Sequence, residues 1–507
     1  MRISIPRNDQ GTTKWRVGIG ILSIFLFIGP QVYGKAMGDM DINDAIEDEF
    51  LLDSSIPENS IQIDTSNGVA TLEGTVENLL AKERATRIAE TVRGVRSVVN
   101  SIDVAPAEPR TDTEVKTDVI QALVRDPATE SWEIEPEVDN GAVTLTGQVD
   151  SWQEKQLAGT IAKGVRGVQS LKNDLTIDYT GTRTDREMQA EIQERLRWNV
   201  LVDDALIDVS VNDGAVTLDG IVGSAAEKRR AHMDAWVRGV DSVDASGLEI
   251  QAWAKNEDLR GDKYAEKSDT EIERAVEDAL LYDPRVVSFN VSVEADHGAI
   301  TLRGDVDNLK AKSSAEQTAR NTVGVVQVDN RLTVTPLTVS DEAIETDVAQ
   351  ALIADPFVDR YKIDVNSTNG IVSLYGDVDN AYEKGQAEDV ASRVNGVLFV
   401  ENHLEVSDND ELYSYDPYVD DWLIDDYAWG DFDRTYSWQS DKQLKDEVED
   451  QLFWSPFVNS DTIDVNVDDG EVHLTGTVDS YDEYRTATKN AFDAGAVIVD
   501  NDLTIQG

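Results

Sequence analysis

The sequence predicts an α+β protein: a tandem array of six small α-β-β-α-β domains, each a three-stranded sheet covered on one face by two helices. Three observations predict it. The stretch GAVTLTGQV at Gly141 recurs as GVATLEGTV, GAVTLDGIV, GAITLRGDV, GIVSLYGDV and GEVHLTGTV at Gly68, Gly214, Gly298, Gly370 and Gly470. Successive copies start 73, 73, 84, 72 and 100 residues apart, a period that sets the number of units at six and places each near the lower size limit for an independent core. Within each copy apolar and polar residues alternate, as Val143, Leu145 and Val149 do against Thr144, Thr146 and Gln148, whereas the flanks change to the period of a helix.

The elements follow in order in the fifth unit. Ser340-Asp341-Glu342 is a helix N-cap followed by acids in the first turn, where they oppose the helix dipole. Ile344, Val348 and Leu352 then recur at i, i+4 and i+8 as one buried stripe. Asp355-Pro356 stops this helix, because proline disfavours helix in the residue before it; Asp126-Pro127, Asp283-Pro284 and Ser455-Pro456 do the same elsewhere. A strand from Lys362, the glycine turn and a strand from Ile371 form a hairpin. A second helix carries Ala387, Val390, Ala391 and Val394 on its packed face and ends at Gly396-Val397. The third strand carries Val-x-Asn-x-Leu, as in Val400 to Leu404 and Val328 to Leu332; the third unit departs with Ala245 in place of Asn. A right-handed crossover lets both helices cover one face, leaving the other face to Thr, Asp, Glu and Ser.

Twelve glycines punctuate the hairpins. The first of each pair (Gly68, Gly141, Gly214, Gly298, Gly370, Gly470) follows Asn or Asp in five units and fits a tight turn that needs positive φ. The second (Gly74, Gly147, Gly220, Gly304, Gly376, Gly476) shares the parity of the core residues, which predicts a close approach there by helix two. A phosphate loop is excluded, since no Lys-Ser/Thr follows the second glycine and the strand pattern continues.

The repeats are placed at 40–105, 111–178, 184–251, 268–335, 340–407 and 440–507, with a linker at 252–267 and an acidic aromatic insert at 408–439. Residues 1–36 combine basic residues (Arg2, Arg7, Lys14, Arg16), an apolar run from Val17 to Ile28 and small residues near Gly34 and Ala36. That is the pattern of a secretory signal peptide, so the chain is expected to be exported and periplasmic. No cysteine is present, which excludes disulfide stapling and thiol chemistry.

The α-β-β-α-β order, the G-x-[VI]-x-L-x-G-x-V strand and the late Gly-Val with Val-x-Asn-x-Leu resemble the BON domain, named for bacterial osmotically inducible and nodulation proteins. The resemblance covers all six units. It implies export to the bacterial envelope, no enzymatic activity and attachment to phospholipid membranes or envelope partners, in osmotic or envelope stress.

With 99 acidic and 45 basic residues the formal net charge is −54, which argues against nucleic acid as a partner and repels bare anionic lipid. The four histidines (His232, His297, His403, His473) fall in four different units with no shared ligand spacing and read as solvated. Asp464 to Gly470 alternates oxygen ligands as a calcium loop does, but its glycine and its twelfth residue, Thr475, are wrong for one, so a strand entering a hairpin is expected. No catalytic set, metal site or cofactor is expected. The expected partners are membrane lipid or an envelope protein. The candidate contacts are the apolar residues after helix one, namely Trp454, Phe457 and Val458 in the sixth unit and Phe357 and Val358 in the fifth. The insert holds ten acids and nine of the 34 aromatics, including Trp422, Tyr427, Trp429 and Trp438; it is expected to pack on its neighbours or to act as an interaction element. A spacer or assembly scaffold without lipid binding is the alternative function.

Overall fold

A computed structural model describes residues 38–507, except 407–439 and short stretches at 58–59, 130–132, 179–182, 256–258, 287, 337–338, 360, 469, 497 and 507. Six sheets follow one another along the chain, and in each the central strand pairs antiparallel with the first and parallel with the third. In repeat 5 these strands are Ile363–Thr368, Ile371–Val378 and Phe399–Val406. Helix one spans Asp341–Ala354 and helix two Ala381–Ser392. The core lies between helices and sheet, with Ile344, Val348 and Leu352 against Val372, Leu374, Ala387 and Ala391.

Local polar contacts explain residues that recur without being apolar. The Asp that opens helix one holds the hairpin turn nearly thirty residues away: Asp341 carboxylate oxygens accept from the backbone N–H of Asn369 and Gly370, both at 2.9 Å. Asp39, Asp112, Asp185, Asp269 and Asp441 repeat the clamp on their own turn glycines. These N–H donors hold the carboxyls of Asp39, Asp269 and Asp341 below the usual range. The third-strand Asn fastens helix two to the sheet, as Asn402 Nδ2 donates to the Lys384 carbonyl at 2.9 Å while its Oδ1 accepts from Leu404 N. Repeat 3, with Ala245 there, shows a register shift between Asp244 and Gly247. In repeat 2 the third strand is broken into Ser170–Asn173 and Thr176–Ile177, where Asp174 N turns to the Leu145 carbonyl.

The turn glycines adopt positive φ, with Asn369 at 54° and Gly370 at 78°. The second glycines do not face helix two, contrary to the sequence expectation. Gly376 has φ 139°, and a Cβ there would overlap the carbonyl oxygen of Lys362, the residue before the first strand; the same holds at the five equivalent positions. Parity places them on the core side, but what approaches is the neighbouring strand's own backbone.

Candidate functional surfaces

The repeats contact one another through one recurring joint. The backbone N–H just before the late Gly-Val turn donates to the last helix-one carbonyl of another repeat. Arg93 of repeat 1 reaches Trp454 of repeat 6 at 3.3 Å, Arg166 of repeat 2 reaches Ala354 of repeat 5 at 2.6 Å, and Val323 of repeat 4 reaches Trp198 of repeat 3 at 2.8 Å. In the second joint the Arg166 guanidinium also donates to the carbonyls of Asp355, the helix C-cap, and of Val358 in the loop beyond it, at 2.7 and 2.8 Å. In the third, the contact becomes a short antiparallel bridge between Asn199 and Thr322.

Further contacts join the pairs. The residue after helix one is an Asp in four repeats and is bonded within its own repeat where helix two offers a donor: Arg84 to Asp53, Ser314 to Asp283, Gln386 to Asp355. In repeat 2 the helix-two position is Leu157, and the buried Asp126 instead takes Arg285 of repeat 4 at 3.1 Å. Lys310 of repeat 4 reaches Asp389 of repeat 5 at 2.9 Å, Lys163 reaches Glu83 at 2.6 Å, and Arg229 reaches Glu90 at 2.8 Å. The linker between repeats 3 and 4 adds Arg260, which bridges Asp203 and Asp479, and Lys263, whose buried Nζ donates to the Leu196 carbonyl at 3.0 Å.

Some of these contacts, Lys163 with Glu83, Arg229 with Glu90 and the Asn199–Thr322 bridge among them, line a cavity of about 1520 Å³ whose wall comes from helices and loops of repeats 1 to 5 and the linker after repeat 3. Eleven of the chain's 45 Lys and Arg residues line it, beside ten acids, so the scarce cations gather where repeats meet and the excess carboxylates remain elsewhere. Trp152 of repeat 2 stacks on Trp236 of repeat 3 at 5.3 Å, with His232 edge-on to both. His232 is therefore half-buried rather than solvated, and burial pulls its pKa down. Among the described residues no group of three or more His, Cys, Asp or Glu is placed to hold a metal ion.

The family model described as BON domain matches residues 38–106, 111–179, 184–252, 268–336, 340–408 and 440–507, most of the chain. The chain belongs to the BON domain family. It is 32% identical over 148 residues to Osmotically-inducible protein Y of Escherichia coli, a match covering 28% of this chain and 74% of that protein. It is 31% identical over 135 residues to Outer membrane lipoprotein DolP of Haemophilus influenzae, covering 25% and 69%. A solved C-terminal domain of CdsD, the structural protein of the Type III secretion system of Chlamydia trachomatis, is similar at 14% identity over 44% of this chain and 96% of that one, with a TM-score of 0.12.

The apolar residues expected to follow helix one lie at joints and cores, and Trp454 is the last residue of helix one itself, Asp441–Trp454. Val358 and Val458 are buried in the cores of repeats 5 and 6. Phe357 and Trp454 pack against the core shared by repeats 1 and 3, and Phe457 against Leu201 and Ala226 of repeat 3. Phe357 also meets Tyr382 edge-on at 5.0 Å, and the Arg84 guanidinium lies over the far-side Tyr382 ring at 5.1 Å. Trp422, Tyr427, Trp429 and Trp438 lie outside the described residues. Aromatics that sequence reasoning passed over protrude instead: Phe289 is 91% and Tyr361 80% exposed, at the same position of repeats 4 and 5, just before the first strand.

A buried glutamate was also missed. At the third position of helix two, Glu383 accepts from Asp379 N at 2.9 Å and from Asp359 N at 2.5 Å; Glu483 does the same with Asp479 and Asn459. Burial outweighs those bonds at Glu483 and pushes its pKa up to about 7; Asp355 is pushed to about 6 for the same reason. The signal lay in the sequence as Ser-x-x-Glu or Asn-x-x-Glu, an N-cap followed three residues on by an acid; here that acid accepts from the residue before the N-cap and from the loop after helix one.

Proposed function

We propose that this chain is a non-catalytic, exported envelope protein whose six BON repeats act together, giving multivalent weak binding to membrane phospholipid or envelope partners. The observation that carries the reading is the recurring joint: it pairs repeats 1 with 6, 2 with 5 and 3 with 4, so several outward sheet faces are presented at fixed spacing. Linked weak sites raise effective affinity only when their geometry lets them engage together, and a packed set of repeats supplies that. The names of the relatives, one osmotically inducible and one an outer membrane lipoprotein, support an envelope setting. No helix among the described residues is long and apolar enough to cross a membrane. Membrane contact through Trp454, Phe457 and Phe357 would require the joints to open; contact through Phe289 and Tyr361 would not.

Packing of the repeats on one another favours a second reading, an assembly scaffold without lipid binding. Vesicle flotation across salt separates the two. Lipid binding by so acidic a chain should strengthen as salt shortens the Debye length from about 10 Å at 0.1 M. Absence of flotation at every salt concentration, with the fold intact, leaves the scaffold.

A further inference from the structure

Each sheet turns one face to solvent, and that of repeat 5 differs from the others. Across its central and third strands Ile371 pairs with Phe399, Ser373 with Glu401, Tyr375 with His403 and Asp377 with Glu405. The corresponding pairs are Ala299 with Gln327 and Thr301 with Asp329 in repeat 4, Glu471 with Ile498 and His473 with Asp500 in repeat 6, and Val69 with Ser97 and Thr71 with Val99 in repeat 1. Among the described residues no other repeat sets two large apolar or aromatic side chains side by side on this face. Ile371, Tyr375 and Phe399 are 38%, 45% and 50% exposed, and Tyr375 stacks on His403 at 4.9 Å with the rings 16° apart.

Acids border this row. Asp364 stands opposite Tyr375 on the first strand, and Glu401 accepts from Ser373 Oγ at 3.0 Å between the Ile371–Phe399 and Tyr375–His403 pairs. The third strand, Phe399–Val406, is an edge of its sheet. We propose that this face binds an extended segment of another polypeptide that alternates arginine or lysine with apolar residues, laid along the edge of Phe399–Val406. Each part of the face has a use in that contact. The strand edge offers main-chain donors and acceptors, Ile371 and Phe399 offer apolar area, and the Tyr375 and Phe399 rings accept a guanidinium on their faces while Glu401 and Asp364 supply counter-charge. A second copy of this chain fits poorly, because two such faces would bring their carboxylates together.

The inference names one of the contact sites that the proposed function calls for. Its test needs no membrane, so failed flotation and failed peptide binding are separate results. The experiment is a fluorescence anisotropy titration of the full chain with a labelled octapeptide alternating Arg and Val, against wild type and the charge-preserving double variant Phe399→Ser, Tyr375→Ser. The expected result is a Kd weakened about tenfold or more in the double variant, with Tyr375→Phe retaining wild-type affinity, since the ring face and not the hydroxyl is used. Both altered side chains are solvent-facing, and an unchanged melting temperature checks the fold. Equal affinity of wild type and double variant overturns the proposal, because the peptide then senses only the chain's net charge. Concentration-dependent dimerisation of the wild type that the double variant abolishes also overturns it, in favour of a second copy on this face.

Discussion

Replacing Gly376 with Ala tests what the second glycine of each hairpin is for. A Cβ at this position would overlap the Lys362 carbonyl oxygen and stand 2.9 Å from its carbon, with the backbone at φ 139°. Holding an alanine in that region costs about 1–3 kcal/mol, and moving the first strand away from the methyl costs about 1–3 more. A total near 4 kcal/mol is comparable with the stability of a domain of this size, about 0.05–0.15 kcal/mol per residue. Repeat 5 should therefore unfold at much lower urea, read by circular dichroism as an early, separate transition. Gly261→Ala is the control: its φ is 63° but nothing lies within 4 Å, so about 1 kcal/mol is expected. Adding Ala387→Gly on helix two should not rescue Gly376→Ala. An unfolding curve unchanged by Gly376→Ala would refute the strand-backbone account, and rescue by Ala387→Gly would restore helix two as the close neighbour.

Two further predictions concern the joints and the buried acids. Arg285→Ala strands the buried Asp126 carboxylate without its cross-repeat partner and should cost about 3–5 kcal/mol, whereas Asp126→Leu with Arg285→Met should cost much less; equal costs in denaturant melts would show that the pair does not couple the repeats. Glu483, raised to about 7, and Asp355, raised to about 6, contribute stability that is complete below their unfolded values of 4.5 and 3.8 and is lost as pH rises through 6 to 7. For Glu483 this corresponds to at most about 3 kcal/mol. The turn clamps Asp39, Asp269 and Asp341 act in the opposite sense, losing their contribution as pH falls below about 4, so melting temperature should peak between these ranges. Glu483→Gln should flatten the alkaline side of that profile; an unaltered slope would count against the buried acid as its source.

What was legible in the sequence was local. Period-2 alternation and the Asn-Gly turns fixed the hairpin, and the Ile344, Val348, Leu352 stripe fixed helix one, because both patterns are set by burial inside one repeat. The third-strand Asn was visible as a motif, but its use, a hydrogen bond to a helix-two carbonyl, needed the fold. Joints between repeats were not legible, since their donors are mostly backbone groups or single arginines such as Arg166 and Arg285 with no spacing signature. Trp454 ends helix one and Phe457 lies in the loop after it, and a sequence does not distinguish an apolar segment that meets lipid from one that meets the next repeat. Phe289 and Tyr361, single aromatics in polar surroundings, gave no pattern at all.

Small-angle X-ray scattering of the cysteine-free chain tests the central claim, that the six repeats pack through their joints. A packed chain of this length should give a radius of gyration of about 23 Å, whereas six separate repeats strung in a row would give a clearly larger one. The account predicts the smaller value at physiological salt and an increase when Arg285 and Arg166 are both changed to Ala. A clearly larger value in the unmodified chain would contradict it.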